Sequence, residues 1–94
     1  MNLQLNQIKQ TALKQGFSRV KIILDSNFIF IYFSFKAEFE SNDIDGAHLV
    51  TQKNELRNFK TIDAAYKLIN SLLDPEKDLF VDVIISDNTH YDDV

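Results

Sequence analysis

The chain has 94 residues, 45% of them hydrophobic and 26% charged, with a net charge of −4 and no cysteine. That length holds one domain, which buries about two-thirds of the surface its unfolded chain exposes, and the composition is too apolar for intrinsic disorder. Without cysteine, disulfides, thiolate metal sites and thiol catalysis are excluded; nothing marks an oxidising compartment, so the cytoplasm is the expected location.

The N-terminal stretch MNLQLNQIKQTALKQ is polar between its apolar positions and has no continuous apolar core, so no export signal is expected. Leu5, Ile8 and Ala12 recur at helical spacing with Leu13 beside them. Gly16 stands where a left-handed cap closes many helices, which predicts a helix over residues 3–15. Val20, Ile22 and Leu24 then alternate with Arg19, Lys21 and Ile23, the period of a strand, over residues 18–25. Ser26-Asn27 reads as a tight turn, because Asn tolerates the positive φ that hairpins require. The turn dictates a register. Leu24 should face Ile29, Ile22 face Ile31 and Val20 face Phe33, while Ile23 faces Phe30 and Lys21 faces Tyr32.

Residues 28–39, FIFIYFSFKAEF, hold five of the eight phenylalanines. The apolar run Phe28 to Phe33 falls far short of the roughly 20 residues a membrane-spanning helix needs. As a strand, the segment presents Ile29, Ile31, Phe33, Phe35, Ala37 and Phe39 on one side, apolar throughout and suited to pack on helices. Phe28, Phe30, Tyr32, Ser34, Lys36 and Glu38 lie on the other side, apolar only in its first half. ESNDIDG, residues 40–46, is a loop, and AHLVTQK, residues 47–53, is a weaker third strand. NELRNF either extends the sheet or crosses it.

Thr61 is a good N-cap, Asp63 suits the positive end of a helix dipole, and Ile62, Ala65, Tyr66, Ile69, Leu72 and Leu73 line one side of a second helix. Asp74-Pro75 stops it. DLFVDVIIS, residues 78–86, alternates again, with Leu79, Val81, Val83 and Ile85 inward and Phe80 and Ile84 on the reverse. DNTHYDDV shows no periodicity. The expected fold is therefore α+β, a four-stranded antiparallel sheet with two helices in the order αβββαβ. Residues 1–86 form the domain and 87–94 an acidic flexible tail.

Chemistry-bearing patterns are scarce. With only Gly16 and Gly46, the chain has no phosphate-cradling loop or dinucleotide fingerprint. SNDIDG resembles the opening of a calcium loop, but its twelfth position would be Gln52 where a bidentate glutamate is required, and no helix precedes it. His48 and His90 have no second histidine at metal-ligand spacing, and His48 reads as a half-exposed sheet residue rather than a base. No seryl nucleophile motif occurs, and the carboxylates lie in loops and the tail, where nothing raises a pKa. No enzyme activity, cofactor, metal or small-molecule substrate is expected.

Two surfaces remain. The second apolar face combines Ile23, Phe28, Phe30 and Tyr32 with Phe80 and Ile84 of the last strand; either a helix covers it or it contacts protein, most simply a second copy. The last fifth of the chain is acidic, with Asp74, Glu76, Asp78, Asp82, Asp87, Asp92 and Asp93 against Lys77 alone. Such charge repels phosphate backbones, so direct nucleic-acid binding is not expected unless the basic N-terminal half presents a separate face.

The segment LRNFKTIDAAYKLINSL, through Arg57, Phe59, Lys60, Thr61, Ile62, Asp63, Ala64 and Ala65, resembles small plasmid-borne replication or partition accessory proteins. There an R-x-F-K-S/T-[IL]-D-A-A segment leads into a helix and a last strand. The close match covers about a fifth of the chain, mainly residues 56–73. The resemblance implies a non-enzymatic accessory of a mobile genetic element acting through protein contacts, with no catalytic residues to carry over. The alternative is a phage- or plasmid-encoded inhibitor of a host defence nuclease, similar to anti-CRISPR proteins, whose acidic residues would mimic nucleic acid.

Overall fold

A computed structural model of the protein describes residues 1–37 and 42–88. The elements in chain order are β1 (Asn2–Gln4), α1 (Leu5–Gln15), β2 (Phe17–Asp25), β3 (Phe28–Phe35), β4 (Gly46–Val50), α2 (Ile62–Leu72) and β5 (Asp82–Asp87). The class is α+β, as the periodicities predict. The sheet is mixed, however: it has five strands in the order β1-β4-β3-β2-β5, with β1 parallel to β4 and β5 parallel to β2. This corrects the four-stranded antiparallel arrangement on two counts. β1 is too short to show periodicity. The passage through α2 acts as a crossover, which returns the chain in the same direction as β2.

The hairpin follows the sequence register. Leu24 pairs with Ile29, Ile22 with Ile31, Val20 with Phe33, Ile23 with Phe30 and Lys21 with Tyr32, and a register shift falls only between Phe17 and Arg19. The turn differs in detail, since the positive φ falls on Ser26, at 55°, and not on Asn27. Gly16 has φ 82° and donates its N–H to the Ala12 carbonyl at 2.8 Å, closing α1 in a conformation that favours glycine. Thr61 caps α2 as expected, its hydroxyl accepting from the Ala64 N–H at 3.0 Å.

Both helices pack on one face of the sheet. The core there joins Ile8 of α1 and Ala65 and Ile69 of α2 to Leu3, Phe17, Val20, Ile22, Ile31, Phe33, Phe35, Ala47, Leu49 and Phe59. Phe17 stacks beside Phe33 and Phe35 with ring centroids 5.5 and 5.7 Å apart. An inward position read from the β3 sequence does not belong to it. Ala37 lies beyond the end of β3 and is exposed, and Phe39 lies outside the described residues, as does Glu38 of the reverse side. At the other end of the chain the last strand starts later than its alternation implies. Residues 75–80 form turns, leaving Leu79 exposed at 68%, while Val81 and Val83 do reach the core. Strand pairing also continues through Asp87, one residue past the expected domain end. The rest of the predicted tail, residues 89–94 with His90, Asp92 and Asp93, lies outside the described residues.

Candidate protein-contact face

Alternation along a strand sends neighbouring side chains to opposite sides of a sheet, so the residues between the core positions must line the face without helices. They are Arg19, Lys21, Ile23 and Asp25 on β2, Phe28, Phe30, Tyr32 and Ser34 on β3, His48 and Val50 on β4, and Asp82, Ile84 and Ser86 on β5. Ile23 and Ile84 flank the centre, and Phe28, Phe30 and Tyr32 run beside them. Five of the six residues expected to share a contact face are thus brought together.

The sixth is not. Phe80 sits in the turn before β5, 91% exposed, where it borders a shallow depression with Phe17, Ser18, Lys36, Lys77 and Val81. That position is at the β2 start, whereas Phe28 follows the β2 end. The alternation of residues 78–86 suggests a strand throughout, but local hydrogen bonds overrule it. Asp74 Oδ1 accepts from the Glu76 and Lys77 amides at 2.8 and 3.2 Å, and Asp78 Oδ2 accepts from the Asp74 amide at 2.8 Å. The chain is held in turns until Val81.

His48 stands among the aromatics, its ring 5.8 Å from Phe30 and 4.8 Å from Tyr32, edge-on to the latter. Burial, with a smaller push from the positive α-amino group of Met1, lowers its pKa below the ordinary histidine range, so the neutral ring is favoured. The Tyr32 phenol leans across Gly46, where an added Cβ would lie 2.6 Å from Cζ and 2.9 Å from the Phe33 carbonyl oxygen. Glycine at 46 therefore leaves the room that the Tyr32 ring occupies.

At one end of the face, Leu56 joins the aromatic row. Its bridge to Val50 and the Asn58 Oδ1 bond to the Ile29 amide, 2.9 Å, fold the segment after β4 back across the sheet end. A hollow of about 250 Å³ opens there between Asp25, Phe28, Phe30, Leu56, Arg57 and Asn58. Leu56 escapes recognition from sequence because its placement depends on how the long β4–α2 connection returns, while His48 lies half-buried on a strand as its sequence position implies.

Among the described residues, the acidic side chains of the last fifth of the chain are spread over the α2–β5 turn and the two ends of β5, and Asp92 and Asp93 lie outside the described residues. The backbone bonds that Asp74 accepts lower its pKa, while Asp78 is buried beneath the same turn and Glu76 lies on its surface. Asp82 and Asp87 stand at opposite ends of β5, about 16 Å apart at strand rise. Among the described residues, no cluster of His, Cys, Asp or Glu is able to hold a metal, and no helix is long and apolar enough to cross a membrane. Comparison with protein-family models, with curated proteins and with solved structures finds no match in any of the three.

Proposed function

We propose that this is a non-enzymatic interaction protein that works through the helix-free sheet face, with a second copy of the chain as the simplest occupant. The carrying observation is that both helices lie on one side, so Phe28, Phe30, Tyr32, Ile23 and Ile84 have no helix over them. Two physical features favour a second copy. On β2 the outward side chains run Arg19, Lys21, Ile23, Asp25, basic at one end and acidic at the other. A two-fold axis across the strands at Ile23 sets each Lys21 over the partner's Asp25 and stacks the aromatic rows in the middle. Five strands about 4.8 Å apart and about six residues long give roughly 500 Å² in projection. With side-chain relief this approaches the ~800 Å² per partner of a stable interface.

The resemblance of Arg57 to Ala65 supports placing such a protein among plasmid maintenance or partition accessories. The acidic inhibitor of a defence nuclease draws less support, because Asp74 and Asp78 are engaged in a turn and Asp82 and Asp87 are far apart. Sedimentation of the wild-type chain and of Phe30→Asp tests the proposal. The wild type is expected to dimerise and the variant to be monomeric with unchanged circular dichroism. A monomeric wild type at high concentration overturns the dimer, and binding to a basic nuclease that weakens steeply with salt favours the inhibitor.

A further inference from the structure

We infer that the cleft between α1 and the segment after β4 binds the phosphate group of a small, hydroxyl-bearing phosphomonoester. β1 runs straight into α1, and its parallel pairing with β4 sets Gln4 beside Val50, so the two strands end at the same level. Beyond β4 the chain turns back, with the Thr51 amide donating to the Glu55 carbonyl at 2.8 Å and the Arg57 amide to the Leu49 carbonyl at 3.1 Å. The returning segment and α1 form two walls of a cleft of about 530 Å³, bordered by Gln4, Asn6, Lys9, Thr51, Gln52 and Arg57. Ligands commonly lie beyond the carboxyl ends of parallel strands, and this volume is in the range of small-molecule sites. It is far larger than a lone phosphate ion needs.

Charge selects the ligand. Lys9 and Arg57 border the cleft and, among the described residues, no carboxylate does, although the chain as a whole carries a net charge of −4. Two cations on facing walls match a dianion, and a phosphomonoester carries about −1.5 to −2 at neutral pH. Arg57 is half-buried and its guanidinium lies over the Phe59 ring, 5.0 Å from the centroid, which restrains the fork. A guanidinium so held suits paired bonds to phosphate oxygens, and Lys9 adds a point charge from α1. The Asn6 and Gln52 amides and the Thr51 hydroxyl suit the hydroxyls of the ester's body, whereas among the described residues no aromatic ring borders the cleft to stack on a nucleobase. The cleft shares none of Ile23, Phe28, Phe30, Tyr32 and Ile84 with the contact face.

The test titrates the full chain with ribose 5-phosphate, ribose or inorganic phosphate and follows the backbone amides by NMR. Ribose 5-phosphate should bind saturably and shift the amides of Asn6, Gln52 and Arg57, while inorganic phosphate binds more weakly and ribose not at all. Lys9→Glu, at an exposed position, and Arg57→Gln should each weaken binding by about tenfold or more, the loss of one charge-assisted hydrogen bond, and Lys9→Arg should retain it. Phe30→Asp should bind the ester as the wild type does, which separates failure of this site from failure of the dimer face. No saturation at millimolar ester, shifts confined to other residues, or undiminished binding by a folded Lys9→Glu would each overturn the assignment. Inorganic phosphate binding as tightly as the ester would overturn the ester and leave the cleft to the free ion.

Discussion

Gln15 is buried at the end of α1, and its side chain makes hydrogen bonds to backbone 21 and 29 residues away. Its Nε2 donates to the Lys36 and Ile44 carbonyls at 2.9 and 2.8 Å, and its Oε1 accepts from the Ile44 amide at 3.0 Å. One side chain thus ties together both ends of the β3–β4 connection. Gln15→Leu fills the space but orphans the Ile44 N–H and two carbonyls, and should cost about 2 to 4 kcal/mol in urea unfolding. Gln15→Glu should not rescue it, since a carboxylate has no N–H for the two carbonyls. His48 is the second informative residue. Its pKa is lowered in the fold, so the unfolded chain binds a proton that the folded chain resists. Its contribution is complete above the unfolded value of about 6.5 and is lost as pH falls toward the lowered folded value. Stability should decline over that window in the wild type and be flatter in His48→Gln; equal slopes would place the titration elsewhere.

The elements divide by the kind of information that sets them. The β2–β3 hairpin is legible because two tracts of period two meet at a two-residue turn, which leaves one register that keeps Val20, Ile22, Ile31 and Phe33 on the same side. α2 is legible because its cap and its apolar stripe agree, and Thr61→Ala should cost about 1 kcal/mol by removing the bond to the Ala64 amide. No measurable loss in chemical denaturation would mean that packing alone holds the helix start. β1 is hidden because Asn2–Gln4 is a strand only by virtue of β4, which it joins through backbone bonds such as the His48 amide to the Met1 carbonyl, 3.0 Å. The direction of β5 is hidden for a related reason. Alternation specifies faces but not neighbours or polarity, and both were settled by the crossover through α2. The placement of Ile23, Phe28, Phe30, Tyr32 and Ile84 on one side of the sheet was legible from alternation, and that of Phe80 was misread because turn bonds compete with alternation.

At the scale of the molecule, one sheet carries an apolar face under the helices and an opposite face that mixes aromatic and charged residues. The helix side is closed, with Ile22, Ile31 and Phe33 fully buried. The other holds half-buried aromatics around Ile23 and ends in exposed Phe28 and Leu56. The distinction predicts how stability depends on protein concentration. If a second copy covers the open face, association binds the native state and not the unfolded one, so the thermal midpoint should rise as the chain is concentrated. Phe33→Ala opens a cavity within each subunit and should cost about 3 to 5 kcal/mol while leaving that concentration dependence in place. Phe30→Asp should do the reverse, with a midpoint near that of dilute wild type and no concentration dependence. Calorimetry across a hundredfold range of concentration separates them. A wild-type midpoint that does not move over that range, with Phe30→Asp unfolding the chain, would mean that Phe30 supports the subunit itself and not a contact between two of them.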